Sequence, residues 1–366
     1  MPHDPYKALY LHLPFCVKRC AYCDFATAAV PAGAPEIEAY VEDLSLQIRR
    51  KAKEGELGAV ETVYLGGGTP SHVGLAGLSM LLYTLSLSMH LTDEVECTME
   101  ANPESLTERM VRDIWALGVN RLSIGVQSFD DDVLRTLGRA HSSDDARRAI
   151  EAARTVSVDL MCGIPGQSAE SFEASVREAV RLGATHVSVY PLTIEPHTPF
   201  DAAVLAGELE EPDDDVEAAH MQIAARVLDS EGFERYEVAS YARPGFACRH
   251  NIAYWTGVPY LGLGRSAATM TQNAQRRMRV KDGQVTDDLD PRQMVAEDLM
   301  LGMRMTAGVS DEHAARAAEL LPEATTVLAD LERQGLVEHE GGRWRPTERG
   351  WLCGNELYGA LFDLAD

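Results

Sequence analysis

The chain has 366 residues, 45% of them hydrophobic, enough to bury the core of one large domain with appendages or of two to three small ones. A formal net charge of −24 leaves no basic footprint for nucleic acid or an anionic membrane and reads as a solubilising acidic surface. No run of about 18 apolar residues is present to span a bilayer, and the first residues show no basic-then-apolar leader.

Short apolar runs predict strands at 8–13 (ALYLHL), 62–67 (TVYLGG), 95–101 (VECTMEA), 121–127 (RLSIGVQ), 158–164 (VDLMCGI) and 186–192 (HVSVYPL). Amphipathic segments separate them. In residues 37–55, Ile37, Tyr40, Val41, Leu44 and Ile48 share one helical face; residues 106–118, 144–155 and 171–183 carry further helices ending in Arg- or Gly-containing turns. Strand alternating with helix is the pattern of parallel βα units. About six such units fit before residue 200, fewer than the roughly eight of a closed barrel, so the expected class is α/β with an open partial barrel. Residues 207–219 (GELEEPDDDVEAA) are an acidic run, read as solvated loop or helix start. A helix at 220–233 and a Gly- and aromatic-rich stretch at 244–269 follow. From 291 the tail reads as helices plus a small hairpin, with 328–352 in the helix, strand, GG turn, strand order of a winged helix. Acidic residues outnumber basic ones about two to one in that tail, so it is read as a packing or docking module rather than a DNA reader. The expected divisions are 1–205, 206–290 and 291–366.

Seven cysteines is an odd count, and Cys97, Cys162, Cys248 and Cys353 are scattered, so no disulfide framework is expected and a reducing cytoplasm is the expected compartment. The other three, Cys16, Cys20 and Cys23, stand together just past the first strand with no fourth thiol in reach. In parallel α/β folds functional groups collect past the carboxyl ends of strands. A cubane iron–sulfur cluster held by three thiolates keeps one iron open for a small molecule. The alternatives are a zinc site completed by a distant residue, or redox thiols. His12 would be a candidate fourth zinc ligand, but as a strand residue it is expected to point away from the loop. GGGTP (66–70), after the second strand, lets backbone approach a ligand closely; it is neither a Walker loop nor a Rossmann fingerprint. Glu100, Gln127, Asp159 and Tyr190 mark the ends of the third to sixth strands. The first three are read either as surface polars or as partners for ribose hydroxyls. Arg139, in LGRAH, either pairs a carboxylate bidentately or makes a weak surface ion pair. Tyr10, before the loop, reads equally well as a core residue.

The run Y-x-H-x-P-F-C-x-x-x-C-x-Y-C-D-F, Tyr10 to Phe25, resembles radical S-adenosylmethionine (SAM) enzymes, and more narrowly the coproporphyrinogen dehydrogenase-like family. GGGTP, MEANP, SIGVQSF, LGRAH and DLMCGIPGQ match that family in order and spacing, and the likeness covers essentially the whole chain. The resemblance implies a partial (β/α)6 TIM-like barrel of the radical SAM type with a C-terminal α+β winged-helix-like module. It implies a 4Fe-4S cluster on Cys16, Cys20 and Cys23, with SAM chelating the open iron. It implies a SAM pocket lined by Tyr10, Tyr22, Gly67, Gly68, Thr69, Glu100, Gln127, Arg139 and Asp159. One electron from the cluster would cleave the sulfonium bond, a chemistry that belongs to the cofactor.

Two branches of that family differ near the loop. The porphyrinogen-oxidising branch carries a further Cys two residues after the third, and an N-terminal extension. Here that place is Phe25 and the loop starts at residue 16, which speaks against oxidative decarboxylation of coproporphyrinogen. The haem-chaperone branch resembles this chain in the CDF ending, the short N-terminus and an H-N-x-x-Y-W motif, here His250, Asn251, Tyr254 and Trp255. Imidazole is a common axial ligand of haem iron and aromatics pack on the macrocycle, with Cys248 a second candidate ligand. The bland reading of the same residues is a hydrogen-bonded His250 with Tyr254 and Trp255 in the core. The resemblance thus implies haem as a third cofactor, apo-haemoproteins (respiratory ones) as recipients and an electron donor. It implies no nucleic-acid partner and no transmembrane segment, with room for peripheral membrane contact and for homo-oligomerisation. The rival expectation is a radical SAM enzyme acting on a tetrapyrrole or another small molecule. A winged-helix regulator sensing the cluster is disfavoured by the acidic tail.

Overall fold

The computed structural model describes residues 3–89 and 94–365. Its main sheet has twelve strands. In chain order they are β1 (Ala8–Leu13), β2 (Thr62–Gly67), β3 (Glu96–Ala101), β4 (Arg121–Gln127), β5 (Val156–Cys162), β6 (His186–Pro191), β7 (Glu234–Arg235) and β8 (Ser240–Ala242), then β9 (Tyr260–Leu263), β10 (Ala268–Asn273), β11 (Arg276–Lys281) and β12 (Gln284–Leu289). The spatial order is β12-β11-β10-β9-β1-β2-β3-β4-β5-β6-β8-β7. Strands β1 to β6 lie side by side in sequence order and all parallel, which is the expected (β/α)6 partial barrel. The fifth strand starts two residues before its expected position. Val156 and Ser157 continue the alternation, and Gly163, with φ 71°, ends it by turning the chain out of the sheet.

The helices between the strands follow from their apolar faces. Helix α1 (Pro35–Lys53) starts on Pro35, carries Glu36 and Glu38 in its first turn and Arg50, Lys51 and Lys53 in its last, so its charges oppose its dipole. It buries Ile37, Val41, Leu44 and Ile48 in the cluster that holds Leu9, Leu11 and Leu13 of β1. Tyr40 lies at the edge of that face and donates its hydroxyl to the His12 carbonyl (2.8 Å). Helices α3 (Glu108–Ala116), α4 (Ser143–Glu151) and α5 (Ala169–Arg181) lie where periodicity predicts them. Helix α2 (Gly74–Ser88) was not expected. Its sequence GLAGLSMLLYTLSLS is apolar nearly all round and carries no period to read. The acidic run resolves into the start of helix α6 (Asp214–Ser230): Asp213 caps it, accepting from the amides of Asp215 and Val216, and Asp214, Asp215 and Glu217 fill the positive end of its dipole.

The other face of β1 to β6, the barrel lumen, is polar rather than filled by branched aliphatics. Thr62, Thr98, Arg121, Ser123, Ser157, His186 and Ser188 are all buried. Many of these groups find partners across the lumen: Ser123 donates to Asp159 (2.8 Å), Ser157 pairs with His186 (2.7 Å), and His186 with Tyr236 (2.9 Å). At the open side of the barrel the stretch 244–269 becomes helix α7 (Arg249–Trp255) and then β9, which pairs parallel with β1, Leu261 opposite Leu9. Strands β9 to β12 form an antiparallel meander beyond it.

The tail has a core of its own, with Leu299, Met303, Leu321, Leu328, Leu331, Leu336, Leu357 and Leu361. Three helices, Pro291–Met303, Asp311–Leu320 and Ala324–Arg333, precede a hairpin of Val337–Glu340 with Arg343–Pro346, and Val309–Ser310 adds a third strand. This is the expected winged-helix order. It docks on the sheet through Trp351, whose indole N–H donates to the Val238 carbonyl (2.8 Å) and whose ring lies 4.0 Å from the Arg235 guanidinium.

Candidate functional site

A cavity of about 380 Å³ opens at the carboxyl ends of β1 to β6. On one side it is walled by the loop carrying Cys16, Cys20, Tyr22, Cys23 and Phe25, and on the other by Gly67, Gly68, Thr69, Glu100, Asn102, Gln127, Arg139, Asp159, Met161 and Tyr190. All three loop cysteines are free thiols. Cys16 is pinned by a two-residue ladder in which Phe15–Cys16 pairs with Ala28–Ala29, and its sulfur accepts from the Thr69 hydroxyl (3.5 Å). Burial pushes the Cys16 and Cys23 thiols up from the ordinary range. The Arg139 guanidinium reaches Cys20 Sγ (3.4 Å).

Each glycine after β2 is there for contact. A Cβ on Gly68 would lie 2.8 Å from the Phe15 carbonyl oxygen, 2.9 Å from its amide nitrogen and 3.0 Å from Cys16 Sγ. Gly67 has φ 119°, and a Cβ there would strike the His12 ring at 2.7 Å. The Gly67 amide donates to Glu100 Oε2 (3.1 Å), and the Tyr64 hydroxyl donates to Glu100 Oε1 (3.0 Å). Burial outweighs these bonds and pushes the Glu100 carboxyl up to about 7. Asp159 is likewise raised, chiefly by burial, against hydrogen bonds from Ser123 and other lumen hydroxyls. Gln127 ends β4 at φ 66°, beside a register shift between Gly125 and Gln127, so the strand is bent where it reaches the cavity. Arg139 is held by Asn102 Oδ1 and the Gly125 carbonyl, both at 2.7 Å, which leaves its buried Nε without a partner among the described residues. Its hydrogen-bond partners thus include no carboxylate.

Tyr22, Gly67, Gly68, Thr69, Glu100, Gln127, Arg139 and Asp159 are therefore brought together with the three cysteines. Tyr10 is not a wall residue. It lies one layer behind, its ring 6.2 Å from that of Tyr64 and its hydroxyl 3.1 Å from His12 Nδ1. His12, expected to point away from the loop, turns its Nε2 to the Ala26 carbonyl at the loop's exit (3.2 Å). Three residues that sequence reasoning did not single out belong to the site. Asn102 bridges Thr69 (2.9 Å) and Arg139, Ser123 holds Asp159, and Tyr64 holds Glu100. Asn102 was within reach, since it stands two residues past Glu100 in MEANP.

His250, Asn251, Tyr254 and Trp255 are on α7, outside the cavity wall. Of the two expectations for His250, haem ligand or hydrogen-bonded residue, this conformation shows the hydrogen bonds. The side chain is buried, at 1% exposure; Nδ1 is paired with the Thr62 hydroxyl (2.9 Å) and Nε2 with the Tyr254 hydroxyl (3.2 Å). Neither nitrogen is free for iron. Cys248 is fully buried too, its sulfur directed to Glu96 (3.4 Å) and Asn251 (3.4 Å). Trp255 stacks against the Arg304 guanidinium at 4.6 Å.

The donor set discriminates between the metals considered. Among the described residues no three His, Cys, Asp or Glu side chains converge closely enough to hold one metal ion, so a mononuclear zinc site does not match. Three thiols on one loop at the cavity wall fit three corners of a cubane. The glycine-lined backbone, the carboxylates and the unpartnered Arg139 Nε beside them fit a small polar molecule at the remaining corner.

Residues 10–179 match the Radical SAM superfamily and residues 289–353 the HemN C-terminal domain. The chain is 33% identical to the haem chaperone HemW of Bacillus subtilis, covering 97% of this chain and 99% of that one. It is 35% identical to HemW of Mycobacterium tuberculosis, covering 99% and 96%. The solved structure of Escherichia coli coproporphyrinogen III oxidase (HemN), described as a radical SAM enzyme, superposes with a TM-score of 0.78 at 21% identity, over 99% of this chain and 90% of that one. The chain belongs to the radical SAM superfamily, in the branch that carries a HemN C-terminal domain and includes the HemW haem chaperones.

Proposed function

We propose that this protein is a haem chaperone on a radical SAM scaffold, which binds haem and delivers it to apo-haemoproteins. The observation that carries the reading is end-to-end similarity to haem chaperones. Phe25 supports it: it stands, 65% exposed at the cavity, where the porphyrinogen-oxidising branch has its extra cysteine. In this reading Cys16, Cys20 and Cys23 hold the 4Fe-4S cluster. Gly67, Gly68, Thr69, Glu100, Gln127, Arg139 and Asp159, with Tyr22, receive SAM. When bound, the cluster supplies single electrons to the sulfonium of SAM.

The chain's own residues set the conditions for that chemistry. Gly68 and Thr69 hold strand β2 against the loop, so Cys16 cannot drift. Arg139 places a fixed positive charge beside Cys20, which would offset the negative charge of the cluster. Glu100 and Asp159 supply acceptors for hydroxyl and ammonium groups. An electron donor, respiratory recipients, a cytoplasmic setting and homo-oligomerisation complete the proposal. No helix among the described residues is long and apolar enough to cross a membrane.

The test is an anaerobic haemin titration followed by transfer. A saturable Soret band, and passage of that haem to an apo-haemoprotein, are the expected results. Conversion of coproporphyrinogen III to protoporphyrinogen under reducing conditions would replace this reading with the enzymatic one.

A further inference from the structure

Helix α7 carries the H-N-x-x-Y-W motif, and its His250 turns inward, to the barrel lumen. Its first two amides, of Arg249 and His250, donate to the Glu96 carboxylate at 2.9 and 3.0 Å. That anchors the helix on β3. Thr62 on β2 and Tyr254 on α7 clamp the imidazole of His250 from both edges. The face of the clamped ring stacks on Tyr64, with centroids 5.0 Å apart and planes 28° apart. The Tyr64 hydroxyl donates to Glu100, and Glu100 is a wall of the cavity. The path from the motif to the cavity therefore has two contacts: a ring stack and one hydrogen bond.

We infer that the motif helix is a positioning device for the SAM cavity, in which His250 holds the Tyr64 ring so that its hydroxyl stays on Glu100. The inference rests on the reading of that cavity as the SAM site. Several observations converge on it. Thr62 and Tyr64 sit two residues apart on one strand and face the same way, so one imidazole can bond the first and stack on the second. Burial holds His250 well below the ordinary histidine range, at about 3, so it packs as a neutral aromatic. A neutral ring lies over a phenol that serves a carboxylate without adding a competing charge. Tyr254 is fixed in turn by Tyr260 of β9, edge-on at 4.6 Å, which locks the clamp to the strand beside β1. His250 touches neither cluster nor SAM in this arrangement. It is a positioning residue, not a catalytic one.

The experiment compares His250→Ala, His250→Phe, Tyr64→Phe and the double variant His250→Ala/Tyr64→Phe with wild type, each reconstituted anaerobically with its cluster and checked for iron. Two quantities are read: SAM affinity by equilibrium dialysis, and the haem Soret spectrum. His250→Ala and Tyr64→Phe are expected to weaken SAM binding by roughly threefold to tenfold, the range of one disturbed hydrogen bond at a fixed group. His250→Phe keeps a ring on Tyr64 and is expected to recover most of that loss. The effect of His250→Ala should vanish in the Tyr64→Phe background, because both act on Glu100 through one hydroxyl. The haem spectrum is expected to stay that of wild type in both His250 variants.

Unchanged SAM affinity in His250→Ala and Tyr64→Phe would overturn the inference. So would loss of a haem ligand signature in His250→Phe, which retains packing but has no nitrogen. If His250→Ala does not fold, His250→Phe and Tyr64→Phe decide alone. Wild-type protein that takes up no haem would sink the chaperone reading while the SAM comparison still stood.

Discussion

Gly68 controls how near β2 can come to the cysteine loop. Its missing Cβ is what allows the Phe15 backbone and Cys16 Sγ to sit against the strand end. The two nearest atoms are Phe15 backbone, which cannot swing aside, and the third is the Cys16 sulfur itself. Gly68→Ala is therefore expected to push the loop away. Anaerobically reconstituted variant should hold less than about half of the wild-type iron, read by iron and sulfide assay, because two of three thiolates cannot hold a cubane that the third no longer reaches. Full iron content would show that the loop yields cheaply. The thiols and glycines were legible in sequence because each is a residue type with a narrow chemical use. Tyr64 and Ser123 were not, since a tyrosine or serine in an apolar strand reads as ordinary core until its partner across the lumen is known.

Helix α7 shows how the polar groups of a motif can be taken up inside the fold. Histidine, asparagine and aromatics in seven residues suggest a ligand, yet the helix spends its polar groups on Glu96, Thr62 and Tyr254. This has a consequence for acid stability. His250 binds its proton near pH 3 when folded and near the ordinary histidine value, 6.5, when unfolded. Between those values the unfolded chain holds more protons, so stability falls as the pH drops from 6.5 toward 3 and is fully present above 6.5. His186, buried in the same lumen and also lowered, adds in the same direction. The melting temperature of His250→Phe is expected to decline less steeply than wild type between pH 6.5 and 4, measured by circular dichroism. Parallel acid limbs would mean that His250 is not buried neutral. Strands β9 to β12 were missed at this scale for a related reason. RRMRVK buries Arg277 and leaves its alternating Met278 and Val280 half-buried, and QVTDDL shows no apolar alternation; Glu297 and Asp298 meet the Arg277 guanidinium at 2.6 and 2.8 Å. Paired charges hide a strand from any reading based on hydrophobicity.

At the scale of the molecule, one sheet runs through most of the chain and the winged module rests on its end. Trp351 makes that junction, buried against Arg235 and bonded to Val238, and none of these residues lines the cavity. Trp351→Ala is expected to cost about 3–5 kcal/mol of stability, seen as a lower melting temperature, with iron content unchanged. Loss of iron in a folded variant would mean the module also shapes the cluster loop. The sequence by itself determined the six parallel strands, the order of the winged module and the grouping of cysteines, glycines and carboxylates at strand ends. Those features follow from period, turn chemistry and the rule that parallel strands share a carboxyl edge. Only the tertiary structure decided which way His12 and His250 point, that β9 lies beside β1, and that Tyr10 stands behind the cavity rather than in it. Direction and neighbourhood in a polar lumen depend on partners 14 to 188 residues away, and no local pattern records them.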